Sequence, residues 1–148
     1  MAFYTILGGF ITIVMPDSCF VETILVNIHT MWLHCGSFVV SVYLLLTEEI
    51  NLEKNNLLNA FLVFLGFVFL AEILIMVIYN SGILNGDTFN MFYISPYFIS
   101  ELPVFNFVQE HLPFIGYLLV YISALFLGSN IVYGIASIIK SIKSKISI

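Results

Sequence analysis

Residues 57–79 read LLNAFLVFLGFVFLAEILIMVIY, and this stretch decides the fold. At the ~1.5 Å rise per residue of an α-helix it covers about 35 Å, which is enough to cross the ~30 Å hydrocarbon core of a bilayer. Glu72 is the one formal charge in the run. The stretch therefore predicts a transmembrane helix that carries a carboxyl group inside the membrane.

Three further runs have a similar apolar character. Residues 23–47 contain no Asp, Glu, Lys or Arg, and residues 112–139 form a long apolar run with Pro113 in its first turn. Residues 1–16 are uncharged but lack the basic start of a signal peptide, so we expect a short or incomplete first helix there. The predicted fold class is all-α. It is a multi-span transmembrane helical bundle of about four helices, in one domain over residues 1–148.

The composition of the whole chain supports a membrane protein. Of 148 residues, 61% are hydrophobic and 9% are charged, whereas a soluble domain has about 45–50% apolar and about 25% charged residues. Four Lys and no Arg stand against nine Asp or Glu, for a net charge of −5. Since the sequence has no basic patch for nucleic acid, we expect no nucleic-acid partner. The apolar composition makes membrane lipids the expected partners.

The lysines predict how the chain is oriented in the membrane. Lys54 lies between the second and third runs, and the other three lysines follow the fourth run: Lys140, Lys143 and Lys145. The positive-inside rule then places both termini and the 48–56 loop in the cytoplasm, and segment 80–111 outside. Within that segment, aromatic residues from Phe89 to Phe98 favour a stretch at the headgroup level. The expected location is the cell membrane, with several spans.

Polar side chains follow one face of the second predicted helix. They recur at spacings of three and four residues, which places them on one side: Thr23, Asn27, Thr30, His34, Ser37 and Ser41. Two interpretations stay open, because such a stripe either packs against other helices or presents His34 as a general base or proton carrier. Cys35 projects about 100° away from His34, which argues against a cysteine nucleophile there. No spacing of His, Cys, Asp or Glu indicates a metal site, and no motif indicates a cofactor.

Glu72 is the second candidate for a catalytic or ion-binding role. A charge inside a span costs a few kcal/mol, so such a group pairs, becomes protonated or faces a wet cavity. The alternative is that a neutral Glu72 forms a hydrogen bond near Asn27 or Thr30 and joins the two helices. In the fourth run, four small or polar residues repeat every seven positions, and a small-xxx-small pair accompanies them: Gly116, Ser123, Asn130 and Ser137, with Ala124 and Gly128 as the pair. Both patterns predict a close-packing face, on which Asn130 could also contact a substrate.

Several short motifs resemble those of the YwaF-type bacterial integral membrane proteins. The similarity covers residues 7–135, on these motifs: Leu7-Gly8-Gly9, Pro16-Asp17, His34 with Gly36, Asn80 with Gly86, and Asn90-Met91-Phe92-Tyr93. The resemblance implies that the chain is the carboxy-terminal portion of a larger bundle with further helices upstream. It also implies that His34 is the counterpart of the family's His, and that Asn80, Gly86 and Asn90 correspond to its outer polar motif. Eukaryotic proteins similar to this family are linked to acyl transfer between membrane lipids, in which His34 would be the base.

Three functions remain as hypotheses. The first is an uncharacterised YwaF-type protein that acts on membrane lipids, with His34 as the base, Glu72 as an orienting or acidic group, and segment 80–111 as a lid. The second is a proton- or ion-coupled transporter or channel subunit, in which the polar stripe and Glu72 line a path. The third is a non-catalytic membrane scaffold. In all three, the polar stripe predicts either a homo-oligomer or the missing upstream helices as a partner.

Overall fold

The computed structural model describes residues 1–16, 24–47, 52–84 and 88–146. In these residues it contains five α-helices and a short 3₁₀-helix, Met91–Tyr93, and no strand. The α-helices are α1 Ala2–Val14, α2 Ile24–Leu46, α3 Lys54–Ser81, α4 Pro103–His111 and α5 Phe114–Ile146. The predicted all-α fold class is confirmed.

Three of the helices are long and apolar enough to cross a membrane. Their apolar spans are Asn27–Leu46 in α2, Asn55–Ser81 in α3 and Phe114–Lys145 in α5. Helix α1 has 13 residues and is therefore about 20 Å long, less than the ~30 Å of a hydrocarbon core. In the described residues, three long apolar helices and the short first helix that the sequence predicts are thus consistent with a membrane protein.

The helix ends and the outer segment differ from the prediction. Helix α3 begins at Lys54 and ends at Ser81, and α5 continues to Ile146, so both helices extend beyond their apolar runs. Pro113 precedes α5 directly and does not lie within its first turn. Residues 89–98 contain the 3₁₀-helix and bends, while α4 is the regular helix of the outer segment.

The chain forms two compact units. The first consists of Met1–Phe61 with Leu125–Ile148, and the second consists of Leu62–Ala124. Helices α3 and α5 therefore each contribute one part to each unit.

In the first unit, α1 packs closely against α2. A Cβ atom at Gly9 would lie 2.7 Å from the Cβ of Phe38 and 2.8 Å from the carbonyl oxygen of His34. Near the start of α1, the hydroxyl oxygens of Thr5 and Ser41 are 2.6 Å apart. The two helices run antiparallel, since early α1 meets late α2, and glycine allows the backbones to approach.

In the same unit, α1 also contacts α5. A Cβ atom at Gly128 would lie 2.9 Å from a methyl carbon of Leu7, and the ring of Phe3 meets that of Tyr133 edge to face at 5.8 Å. Gly128 belongs to the small residues that predict close packing in the fourth run. Ser123, also expected on that face, is exposed, because the close contacts of α5 follow a different row of residues.

Candidate functional site

The polar stripe of α2 faces away from the solvent-accessible side of the helix. Ser41 is buried, and the other described members are half-buried: Asn27, Thr30, His34 and Ser37. The opposite side exposes aliphatic side chains, among them Ile24, Leu25, Ile28, Leu33, Val39 and Val40. This is the predicted division between a protein-facing and a lipid-facing side. Thr23, the first predicted member, lies outside the described residues.

Ser41 holds α2 to α1 through a hydroxyl pair. The Thr5 hydroxyl donates to the carbonyl oxygen of Ala2 at 2.9 Å, and it also lies 2.6 Å from the Ser41 hydroxyl. Each hydroxyl can donate or accept, so the two groups share one hydrogen bond across the helix contact. This member of the stripe therefore has the helix-packing role that one of the two interpretations assigns to the stripe.

His34 lies one helical turn from Phe38 on the side of α2 that meets α1. Its backbone carbonyl contacts Gly9, while its imidazole forms no hydrogen bond with any residue in the described ranges. A general base in an enzyme is usually oriented by a further group. The described residues thus provide His34 with a fixed backbone but no orienting partner. Cys35, the next residue, is a half-buried free thiol.

Glu72 is buried in α3, in the second unit. Its side chain is 7% exposed, and neither carboxyl oxygen has a hydrogen-bond partner within the described part of the chain. Glu72 lies nine residues before Ser81, which corresponds to about 14 Å along the helix. Buried polar groups without a partner are rare in folded proteins and call for an explanation.

The three asparagines predicted as binding residues each form a hydrogen bond to backbone. The Nδ2 atoms of Asn80 and Asn130 donate to the carbonyl four residues earlier in their own helices, both at 2.7 Å. The Oδ1 atom of Asn90 accepts from the backbone N–H of Ser95 at 2.8 Å. Asn80 is exposed at the end of α3, whereas Asn90 and Asn130 are half-buried. Asn90 thereby fixes a turn in the outer segment.

Gln109 on α4 organises the outer segment, here called the cap and defined as residues 88–113. Its Nε2 donates to the carbonyl oxygens of Ser95 at 3.0 Å and Phe98 at 3.1 Å, and its Oε1 accepts from the N–H of Ser100 at 2.7 Å. The role of this residue was not predicted from the sequence. The available signal was Pro103, because proline is favoured at the first position of a helix and so predicts α4.

Helix α5 and α3 contribute aromatic contacts to the cap within the second unit. The Tyr117 hydroxyl donates to the carbonyl oxygen of Tyr93, whose φ of 60° lies in the left-handed region, like the φ of 53° at Phe92. The rings of Tyr79 and Tyr97 stack at 3.7 Å with an interplanar angle of 4°. The cap is therefore held in place by a buried tyrosine as well as by Gln109.

The described residues contain no group of three or more His, Cys, Asp or Glu side chains that could hold a metal ion. Asp17 and Gly86, two residues of the motifs that resemble the YwaF-type proteins, lie outside those residues. No protein-family model, curated protein or solved structure matches the chain. The candidate site is therefore defined by its chemistry alone: Glu72 in the second unit, and the half-buried stripe with His34 in the first.

Proposed function

We propose that this protein is a proton- or cation-coupled membrane transport subunit in which Glu72 is the ion-binding group. The observation that carries the proposal is the Glu72 carboxyl group, which is 7% exposed and has no hydrogen-bond partner within the described part of the chain. It sits in the most apolar of the three spans, with a mean hydropathy of 2.9. Ionisable groups within transmembrane segments commonly mark ion and proton pathways in membrane proteins.

The chemistry of an unpartnered carboxyl suits reversible ion binding. A carboxylate fixed by protein donors is stable without a mobile ion, whereas one without them needs a proton or a cation to remain in an apolar interior. Exchange of that proton or cation then changes the charge inside the span. Each such exchange can be coupled to movement of a solute or of the helices around it.

The test is an ion-flux measurement on the full chain in proteoliposomes. An internal pH-sensitive dye reports proton entry when an outward potassium gradient and valinomycin set the membrane potential. We expect flux in the unmodified protein and at least a tenfold loss in Glu72→Gln, which keeps the shape but not the ionisation. Glu101→Gln is the matched control, because Glu101 is an exposed carboxyl of the second unit. It should retain the flux.

Two results would overturn the transport proposal. One is the absence of flux of protons, Na⁺ or K⁺ in the unmodified protein when circular dichroism shows it to be helical. The other is equal flux in the unmodified protein and in Glu72→Gln. If neither variant changes flux but Glu72→Gln alters the oligomeric state, the scaffold hypothesis replaces transport.

A second proposed function is acyl transfer between membrane lipids by a YwaF-type bacterial protein, with His34 as general base. One structural observation favours it: Gly9 and His34, from two separate motifs of the resemblance, are in direct contact. The expected activity is transfer of a labelled acyl chain from phosphatidylcholine to a lysophospholipid in vesicles. His34→Gln should abolish this transfer, whereas His29→Gln, an exposed histidine of the same helix, should not. Transfer that persists in His34→Gln would remove His34 from the chemistry.

The topology proposal is that both termini lie in the cytoplasm. It is supported by the first unit, where the Lys143 ammonium donates to the carbonyl oxygen of Leu46 at 2.7 Å, so the end of α2 and the lysine-rich end of α5 are together. Thr5 pairs with Ser41 near the same end of α2. Under the positive-inside rule this lysine-bearing end is cytoplasmic.

In the transport proposal, a second copy of the chain or further helices upstream would complete the ion path.

A further inference from the structure

An apolar groove with a basic rim lies between α1, α2 and α5 in the first unit. Its volume is about 220 Å³. Eight of its ten lining residues are apolar, Ala136 among them, and the other two are Lys140 and Lys143. The groove therefore combines a surface suited to hydrocarbon with half of the four cations of the chain.

The position of one ammonium group is fixed at the rim. Lys143 donates to the carbonyl oxygen of Leu46 at 2.7 Å, and Leu46 itself lines the groove. A lysine ammonium has three N–H donors, so two remain for another acceptor. The long stem of the side chain packs along apolar surface while its charge reaches the polar boundary, as is usual for lysine at a membrane interface.

We propose that this groove binds an anionic phospholipid, with part of one acyl chain against the apolar wall and the phosphate at Lys140 and Lys143. Basic pockets between membrane helices on the cytoplasmic side have the chemistry that recognises anionic headgroups. The volume is smaller than the ~300–1,000 Å³ of a site that encloses a whole small molecule. It fits a segment of a chain whose remainder lies in the bilayer. The proposal does not depend on the transport or acyl-transfer functions.

The charge on the rim selects against zwitterionic lipid. Near a membrane surface each lysine contributes about a fivefold preference for anionic lipid. The Lys143 ammonium, which has two N–H donors left, therefore predicts a preference of at least about fivefold for phosphatidylglycerol over phosphatidylcholine, reduced by salt because the lysine side chain is exposed.

The test is native mass spectrometry of the full chain, released from detergent micelles that contain equal amounts of phosphatidylglycerol and phosphatidylcholine. We expect one phosphatidylglycerol retained preferentially by the unmodified protein, and the preference lost in the Lys140→Gln/Lys143→Gln double variant. Glutamine at position 143 removes the charge and keeps an N–H donor, and circular dichroism of the double variant checks that its helices are retained. Lys145→Gln is the matched control, because Lys145 is a lysine of the same helix end that does not line the groove. It should keep the preference.

A second pair of variants tests the acyl-chain part of the groove. Ala136→Phe fills the groove from its wall and should remove retention of both lipids. Ile138→Phe adds a similar bulk on the exposed side of α5 and should leave retention unchanged. Adding glycerol phosphate, which has the anionic group but no acyl chain, should not displace the retained lipid. Displacement would identify a phosphate site in place of a lipid site and overturn the proposal.

Three other outcomes contradict the proposal. Equal retention of the two lipids by the unmodified protein shows that the groove has no charge selectivity. An equal loss of preference in Lys145→Gln shows a general effect of surface charge. A double variant that unfolds at lower temperature in phosphatidylcholine, but retains phosphatidylglycerol as before, shows that the lysines serve ion pairs within the chain.

Discussion

Gly8 and Gly9 are neighbours in α1, yet a side chain has opposite consequences at the two positions. Beyond its chain neighbours and its own helix backbone, a Cβ at Gly8 would have no described atom within 4 Å, whereas a Cβ at Gly9 would lie 2.8 Å from the His34 carbonyl oxygen. Gly9→Ala should destabilise the protein by about 1–3 kcal/mol, since backbone must move apart. Gly8→Ala should be neutral or stabilise it by up to about 1 kcal/mol, since alanine favours helix.

The measurement is the loss of helical circular dichroism as a denaturing detergent is titrated into a mild one. The unfolding midpoint should fall for Gly9→Ala alone. An equal shift in both variants would mean that α1 does not pack on α2 through Gly9.

At the same scale, the Thr5–Ser41 hydroxyl pair should contribute little to stability. Hydrogen bonds between membrane helices average about 0.6 kcal/mol and reach about 1.7 kcal/mol in double-mutant cycles. A cycle with Thr5→Val and Ser41→Ala, measured by the same titration, should give a coupling energy in that range. Ser137→Ala is the control, because the Ser137 hydroxyl donates only within its own helix. Its cycle with Thr5→Val should show no coupling.

Individual residues differ in how far their roles can be predicted from the sequence. Glu72 and the stripe of α2 are identifiable because each interrupts an apolar run. Placing a polar or charged group in such a run costs free energy, so these residues stand out as candidates. The hydrogen bonds of Gln109 were not predictable, since an amide in an irregular polar segment has no fixed partner. It was also not predictable that no residue in the described ranges would bond to the Glu72 carboxyl, because the sequence allowed a bond to Asn27 or Thr30.

At the scale of elements, the cap depends on Gln109 more than on any charged residue. Gln109→Leu removes three hydrogen bonds and leaves the Ser100 N–H and two carbonyl groups without this partner. Such a loss costs about 1–3 kcal/mol for a buried group. Amide hydrogen exchange over residues 95–102 should therefore accelerate about tenfold to a hundredfold. Exchange in α2 should not change.

Glu110→Gln is the control for this variant, because Glu110 is the exposed neighbour of Gln109 on α4. Its exchange rates should match those of the unmodified protein. If Gln109→Leu exchanges no faster than Glu110→Gln, the amide bonds do not hold the cap.

Hydropathy predicts the central part of each long helix correctly, but it does not predict where the helix begins and ends. The runs predicted at 23–47 and 57–79 agree with α2 and α3 to within a few residues. The tail after residue 139 was missed because lysine, serine and isoleucine continue a helix without being apolar throughout. Helix α4 was not predicted, although Pro103 lies at its first position and proline there favours a helix start.

For the molecule as a whole, the orientation in the membrane is directly testable. In a background of Cys19→Ser and Cys35→Ser, single cysteines are introduced by Ser144→Cys and Glu101→Cys, both at exposed positions. A membrane-impermeant maleimide applied to intact cells should label the cysteine at position 101 and not that at 144. Both should react after permeabilisation. The reverse pattern would show that the lysine-rich end lies outside.

The contact between Leu7 and Gly128 also has a consequence for synthesis. Helix α1 leaves the ribosome well before α5, and at about 5–20 residues per second the interval between the two is on the order of ten seconds. A 13-residue helix is too short to be held stably across the bilayer alone. During that interval α1 depends on its glycine contact with α2, so defects at Gly9 would be exposed to quality-control proteases before the last helix arrives.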